Sequence, residues 1–368
     1  MTDAGDGAPV RLALVGAGVI GRHHARVIGE LGDQVELVAV VDLDPAKAEK
    51  IAGEHGGTVF TSLTDALGAA DPDVVVVCTP TGRHGEVAIE ALRAGKHVII
   101  EKPAEVTVEK TDEIIAAQRQ AGTLVAVISQ HRFDPSTEVV VDAIRRGELG
   151  RLTSGIASID WWRGQTYYDS GDWRGTWDLD GGGALMNQGV HTVDLLVATL
   201  GRPIEVFAYT ATLAHERIEV EDVAVGVVRF DNGALGVLHG TTAAYPGLSA
   251  RLQVHGDKGS AVIDNDELSF IHVTKEGGGA EEVAYGSAST SVNQIADYPQ
   301  ASGVGAETAG SSPGQLPTGP HHRQYENFLA ALAGKEELRV DLETNRRSIA
   351  VITAVYESAR TGRPVSLG

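Results

Sequence analysis

The sequence predicts an α/β chain in two parts: an N-terminal doubly wound parallel sheet, then a second α/β domain with a large, mostly antiparallel open sheet. Three observations carry this. Short unbroken apolar runs alternate with amphipathic stretches over residues 10–133. Beyond about Thr153 the runs turn β-rich, with turn residues between them. And 368 residues exceed what most single cores hold.

The first-domain runs are Val10–Val15, Val35–Val41, Val74–Cys78, His97–Ile100 and Leu124–Ile128. Strands that are apolar at every position are covered on both faces, as in a parallel sheet flanked by helices. The segments Gly21–Leu31, Pro45–Ala52, Gly85–Ala94 and Val108–Gln120 supply the right-handed crossovers. In the second part, Ser154–Ile159, Glu205–Thr212, Val223–Phe230, Gly233–His239, Arg251–His255 and Ser260–Asp264 read as strands. Asp231-Asn232-Gly233 is a hairpin turn signal. One helix, over about Gly183–Leu200, precedes most of these strands. Residues 275–320, rich in Gly, Ser, Ala and Pro, read as a flexible surface loop, and helices follow over His322–Leu332 and Glu343–Arg360. The domain limits expected are 1–133 and 134–368.

Composition narrows the function classes. A hydrophobic content of 42% supports a sizeable core, yet no run approaches the roughly 18 apolar residues of a membrane span. The opening MTDAGDGAPV lacks the basic and apolar regions of a secretory signal. Cys78 is the only cysteine, so no internal disulfide forms, and the cytoplasm is the expected compartment. A net charge of −20 argues against a nucleic-acid surface, which needs a basic stripe. A nucleotide would have to be held by local devices such as a helix N-terminus.

Val10–Val15 runs directly into Gly16-Ala17-Gly18-Val19-Ile20-Gly21 and a helix, and the second strand ends at Asp42. Among 45 glycines a bare GxGxxG is weak, but strand, loop, helix and acidic strand end together form a dinucleotide-binding unit. Gly16 permits the turn, Gly18 admits a pyrophosphate, and Gly21 lets the helix close on the sheet. The Asp42 carboxylate suits two ribose hydroxyls and repels a 2′-phosphate, and Leu43 offers no cation to offset that, so NAD is favoured over NADP.

Further motifs are Thr79-Pro80-Thr81 with His84, Ala94-Gly95-Lys96-His97, Glu101-Lys102-Pro103 and Gln130-His131-Arg132-Phe133. The most telling run is Gly181-Gly182-Gly183-Ala184-Leu185-Met186-Asn187-Gln188-Gly189-Val190-His191 with Asp194; Gly362-Arg363-Pro364-Val365 closes the chain. Together these motifs resemble the Gfo/Idh/MocA superfamily, relatives of glucose–fructose oxidoreductase and inositol dehydrogenase, over nearly the whole chain. The resemblance implies a Rossmann domain, a second domain whose open sheet often forms a subunit interface, and an active site between them. It also implies a lysine at Lys102 that touches both nicotinamide region and reacting hydroxyl, with Asn187 and His191 completing the proton chemistry. The cofactor contacts it implies are Gly16, Gly18, Val19, Ile20, Gly21, Asp42, Thr79, Pro80, His84, Glu101 and Lys102. Asn187 and Trp173-Arg174-Gly175-Thr176-Trp177 look like a branch that includes nucleotide-sugar 3-dehydrogenases.

Read physically, Lys102 stands after an apolar strand at the carboxyl edge where such sheets bind ligands, and partial desolvation there would lower its pKa. The alternative is a solvated lysine paired with Glu101. Asn187, His191 and Asp194 fall at i, i+4 and i+7, on one face of a helix. His191 is the expected base; Asp194 would orient it, bind substrate or serve structure. Relatives mostly carry Asp where Asn187 stands, and an amide takes no proton at neutral pH. All four tryptophans lie in a segment with Arg163, Tyr167 and Tyr168 that suits stacking on sugar rings. Arg163 and Tyr167, with Arg132, Asn187, His191 and Asp194, are the expected substrate contacts. No metal is expected, since His23-His24 and His321-His322 are adjacent pairs whose side chains a helix points apart.

The activity these readings imply is a hydride transfer between a nicotinamide and a secondary carbinol of a sugar, nucleotide sugar, glycoside or cyclitol. A glycoside-cleaving enzyme that oxidises transiently, and a non-catalytic sensor of sugar or dinucleotide, are the alternatives. The resemblance further implies a homodimer or homotetramer.

Overall fold

The computed structural model describes residues 8–273, 293–301 and 317–368. The chain forms two compact units. The first holds residues 8–130, 176–181 and 317–349, and the second holds 131–175, 182–273, 293–301 and 350–368.

In the first unit six strands make one parallel sheet: β1 (Val10–Val15), β2 (Val35–Val41), β3 (Thr58–Phe60), β4 (Val74–Val77), β5 (His97–Ile100) and β6 (Val125–Val127). Their order is β3-β2-β1-β4-β5-β6, the doubly wound order that reverses between β1 and β4. The crossovers are α1 (Val19–Glu30), α2 (Pro45–His55), α3 (Leu63–Ala70), α4 (His84–Arg93) and α5 (Val108–Ala121). Local chemistry sets their starts. Asp44 accepts from the Ala46 amide with Pro45 at the first helical position, and Ser62 and Thr107 cap α3 and α5 by accepting from the Asp65 and Lys110 amides. All four residues of β4 are fully buried, and each buried valine contributes roughly 1.5–3 kcal/mol over an exposed one.

The second unit opens with α6 (Pro135–Arg145), β7 (Leu152–Asp160) and the single turn α7 (Gln165–Tyr168). A helix then runs over Ala184–Leu200, but its first part, Ala184–Gly189, is a π-helix, and only α8 (Val190–Leu200) is α-helical. Strands β8 (Pro203–Ala211), β9 (Val223–Phe230), β10 (Leu235–Thr241), β11 (Ala250–Gly256), β12 (Gly259–Asp264) and β13 (Glu267–Val273) follow. Helices α9 (Gly319–Leu332) and α10 (Leu342–Thr361) and the short β14 (Val365–Ser366) end the chain. The eight-stranded sheet runs β13-β12-β11-β7-β10-β9-β8-β14 and is antiparallel except where β7 meets β10. The turn signal at Asp231-Asn232-Gly233 joins β9 to β10 as an antiparallel pair.

One face of this sheet packs against α8. Glycines make the close approach possible: a Cβ on Gly155 would lie 2.9 Å from both Leu196 and Leu200. The other face carries directly paired apolar side chains that remain exposed, with Val225 opposite Tyr209 and Val227 opposite Val237.

The predicted strands and helices match within a few residues. The structure adds β3, α3, α6, α7, β13 and β14, of which β3 has only three residues and so no period to read. Of the loop expected at 275–320, residues 275–292 and 302–316 lie outside the described residues. Its last two residues already belong to α9, because Pro320 sits in the helix's first turn, where its missing amide costs nothing. No helix among the described residues is long and apolar enough to cross a membrane.

Candidate active site

The first unit gathers its motif residues at the carboxyl ends of its strands. After β1, Gly16 has φ +100°, and a Cβ on Gly21 would collide with the Gly16 carbonyl oxygen, so α1 starts against the loop itself. Nothing lies within 4 Å of the Cβ direction of Gly18, and α1 begins without a side-chain cap or an acidic residue in its first turn. Its first amides are thus open to an anion. At the end of β2 the Asp42 carboxylate accepts from the Ala17 amide at 2.7 Å and the Asp44 amide at 2.9 Å, which fixes it beside the loop. After β4, Thr79 Oγ1 is buried without a hydrogen-bond partner. His84 places Nε2 2.8 Å from the Thr79 carbonyl oxygen and Nδ1 2.8 Å from that of Pro103, tying the ends of β4 and β5 together. Burial lowers the His84 pKa against the pull of those two carbonyls.

Lys102 is half-buried at the end of β5, preceding a cis proline, while Glu101 beside it is buried. Glu101 Oε2 accepts the Lys102 amide at 2.9 Å, and Oε1 lies 2.8 Å from His24 Nε2. The other His24 nitrogen meets Tyr325 Oη at 2.7 Å, and His23 Nε2 meets His321 Nδ1 at 3.1 Å. Burial works against a charge on Glu101, but His24 and His321 beside it hold its carboxyl well below the usual range. His23 is depressed to about 2, first by burial and then by the two neighbouring histidines.

The second unit presents a different arrangement. Gly182 and Gly183 approach the π turn because a Cβ on either would collide, with Tyr356 Oη and the Glu221 carbonyl oxygen respectively. Glu221 is buried; its carboxylate accepts the Gly183 and Leu185 amides at 2.9 Å each and the Tyr356 hydroxyl at 3.1 Å. Burial outweighs these hydrogen bonds and pushes its pKa up to about 7. Between 181 and 197 every residue is buried except Asn187, Gln188 and His191, which are half-buried. The side chains left accessible on this apolar element are therefore the polar ones with chemistry to offer.

The orientation of Asn187 follows from its neighbours. Arg163 can only donate, and its Nε and Nη2 reach Gln188 Oε1 at 3.2 and 2.8 Å. Gln188 Nε2 is then the donor to Tyr167 Oη at 2.9 Å and to Asn187 Oδ1 at 3.1 Å. The amide nitrogen of Asn187 consequently points away from Gln188, as a donor. His191 stands edge-on to His131, with ring centroids 4.9 Å apart. His131 Nδ1 lies 2.7 Å from Asp134 and 3.2 Å from Asp266; against the effect of burial these carboxylates raise the His131 pKa well above its ordinary value.

Residues 10–129 match the model of the oxidoreductase family with an NAD-binding Rossmann fold, and 138–262 match the GFO/IDH/MocA C-terminal domain. The chain belongs to the GFO/IDH/MocA oxidoreductase family. Inositol 2-dehydrogenase of Rhizobium meliloti is 32% identical over 270 residues, which cover 72% of this chain and 78% of that protein. D-glucoside 3-dehydrogenase of Escherichia coli is 28% identical and aligns with 100% of both chains. The WlbA dehydrogenase of Bordetella pertussis, solved in complex with NADH and UDP-GlcNAcA, is 32% identical and matches with a TM-score of 0.85 over 98% of each chain.

As a GFO/IDH/MocA member the chain is an NAD-dependent oxidoreductase, and the site residues expected from the sequence fall into two groups. Gly16, Gly18, Val19, Ile20, Gly21, Asp42, Thr79, Pro80, His84, Glu101 and Lys102 collect at one edge of the parallel sheet. Asn187, His191, Arg163 and Tyr167 collect around the π turn and its neighbours in the second unit. Three expectations change in detail. Asn187 lies in the wider π turn, so it does not share one α-helical face with His191 and Asp194. Asp194 is buried and Arg132 pairs with it bidentately, at 2.6 and 2.7 Å, so each is engaged by the other. Glu101 spends its carboxylate on His24 and the Lys102 amide.

Sequence spacing missed Gln188, His131, Glu221, His24, His321 and Tyr325. The side chains of His24, Glu101 and His321 bring potential metal-ligand atoms within 4.8 Å of one another, and those of His131, Asp134 and Asp266 do the same. The His23 and His24 rings stand edge to face, with centroids 6.0 Å apart at 86°, and His321 from α9 meets both, which local spacing cannot disclose.

Proposed function

We propose that this chain oxidises a secondary alcohol of a sugar, nucleotide sugar, glycoside or cyclitol, with Lys102 and His191 handling the hydroxyl proton. The observation that carries the reading is that between residues 181 and 197 only Asn187, Gln188 and His191 stay accessible, the rest being buried. The activities of the relatives, on inositol and D-glucoside, support the substrate class. NAD fits the first unit: the space at Gly18 and the uncapped start of α1 suit a pyrophosphate, and Asp42 suits the ribose. When bound, NAD supplies the hydride acceptor.

The residues of this chain do the rest. Asn187 offers a donor, which holds the substrate oxygen but takes no proton. That leaves His191 as general base, with Lys102 stabilising the developing alkoxide. Arg163 and Tyr167 position the ring through the Gln188 network. Arg132 and Asp194 support α8 beneath His191.

The exposed apolar stripe of Tyr209, Val225, Val227, Leu235 and Val237 supports a homodimer or homotetramer joined through this sheet face. The cytoplasm is the compartment in which a single buried thiol and an NAD-linked activity fit together.

The test is reduced-cofactor formation by purified protein with NAD and a panel of sugars, glycosides, inositols and nucleotide sugars. Lys102→Ala should lower turnover about 10²- to 10⁴-fold while NAD binding survives. Near-normal turnover in that variant removes Lys102 from the chemistry. Release of free sugar without net cofactor reduction would move the reading to glycoside cleavage.

A further inference from the structure

Among the described residues no carboxylate forms an ion pair with Arg174. Its guanidinium carbon lies 4.2 Å from the ring centroid of Tyr167 and 4.4 Å from that of Trp173. It is half-buried, and among the described residues its side chain makes no ion pair and no hydrogen bond. A carboxylate in the same segment, Asp169, is already committed to Arg217 at 2.9 Å and to Gln165 at 3.1 Å. In a chain with 50 acidic and 30 basic side chains, an arginine anchored on aromatic rings and left without an acid has been kept for something else.

Stacking fixes what that is. A guanidinium lying over aromatic faces keeps its N–H donors in its own plane, at its edge, in a fork that matches two oxygens of a carboxylate or phosphate. Arg163 lies over the same Tyr167 ring at 5.6 Å, so two guanidinium groups converge on one side chain. Their mutual repulsion is relieved when an anion arrives. The Tyr167 hydroxyl bonds Gln188, and Gln188 bonds Asn187, so this cationic patch is wired to the residues proposed to meet the reacting carbon.

We propose that Arg174, carried on Tyr167 and Trp173, binds an anionic group of the substrate, and that the substrate is an acidic sugar bearing a carboxylate or a phosphate. This rests on the assignment of the Asn187–His191 element to the substrate. Neutral cyclitols and simple glycosides would then be poor substrates, and the position of the anion relative to Asn187 would select which hydroxyl is oxidised.

The experiment uses the full chain with NAD and three classes of compound: glucuronate, UDP-glucose and an uncharged methyl glucoside. Wild type should prefer an anionic arm, glucuronate if the site reads a carboxylate and UDP-glucose if it reads a diphosphate. In Arg174→Gln the loss should fall on KM, about 10- to 100-fold for the preferred anionic compound, with a much smaller change in kcat. Arg174→Lys, which keeps the charge but not the fork, should recover only part of it. Calorimetric titration of glucuronate and of UDP into wild type and Arg174→Gln reads anion binding without turnover. Lost anion binding in the variant with no turnover in either protein would retain the anion site and reject the dehydrogenase reading. Equal use of the uncharged glucoside by wild type, or unchanged KM and unchanged binding in Arg174→Gln, overturns the proposal; the wild-type preference needs no variant to fold.

Discussion

Arg132 and Asp194 allow a quantitative test of what holds the element bearing His191. Two parallel hydrogen bonds of 2.6 and 2.7 Å join them, and their side chains are only 13% and 3% exposed. Asp194 sits three residues after His191, so the pair anchors α8 within one turn of the proposed base. Removing Arg132 leaves a carboxylate buried without its partner, which costs about 3–5 kcal/mol. Replacing both residues by apolar ones, Arg132→Met with Asp194→Leu, removes the attraction and the unpaired charge together, and the cost should fall to roughly 1 kcal/mol or reverse sign.

A double-mutant cycle on urea unfolding midpoints should therefore show strong coupling, about 5 kcal/mol or more, between the two sites. At roughly 2–4 °C per kcal/mol for a unit of this size, each single variant should melt about 6–20 °C lower. If the two residues were substrate contacts held apart until substrate binds, the single variants would raise KM and leave stability within about 0.5 kcal/mol. Additive single effects, or a stable Arg132→Met, would refute the reasoning.

Two further outcomes follow from the geometry. Asp42→Ala removes the carboxylate beside the Ala17 amide, so NAD affinity should fall about 10-fold or more and discrimination against NADP should relax; fluorescence titration with both cofactors checks this, and an unchanged preference rejects the ribose assignment. Glu221, raised from 4.5 to about 7 by burial, is protonated in the fold where the unfolded chain would ionise it, so its contribution to stability is full below pH 4.5 and declines until about pH 7. That interval corresponds to roughly 3 kcal/mol at about 1.36 kcal/mol per pH unit, and Glu221→Gln should flatten this part of the stability–pH curve; an identical slope in the variant sinks the assignment.

Much of the fold was legible because its signals are local. Four consecutive valines at β4, the glycine loop after β1, and Asp231-Asn232-Gly233 between β9 and β10 each carry their meaning within a few residues. The omissions share a cause. Thr58–Phe60 is too short to show a period, and Glu267–Val273 carries its polar residues at irregular intervals, so its edge pairing with β12 decides its state. The π turn at Ala184–Gly189 has no local signature at all, since it arises where the Gly182-Gly183 approach is squeezed by Tyr356 and Glu221.

The site divides along the same line. Residue types placed by a motif or by the family resemblance, such as Asp42, His84, Lys102 and His191, could be named as candidates from the sequence. The partners beside them could not be, because they come from far along the chain: His24 meets Tyr325 across 301 positions, and His131 meets Asp266, which lies in the turn between β12 and β13. The consequence for Asn187 is specific. Its identity in the sequence says only that it takes no proton; the chain Arg163–Gln188–Asn187 says which of its two polar atoms is turned toward Gln188. An arginine donates and cannot accept, so its presence at one end dictates the amide orientation at the other. Replacing Arg163 would therefore release Gln188 to turn and free Asn187 to present its oxygen instead, changing hydrogen-bond polarity at the reacting end without altering any residue there.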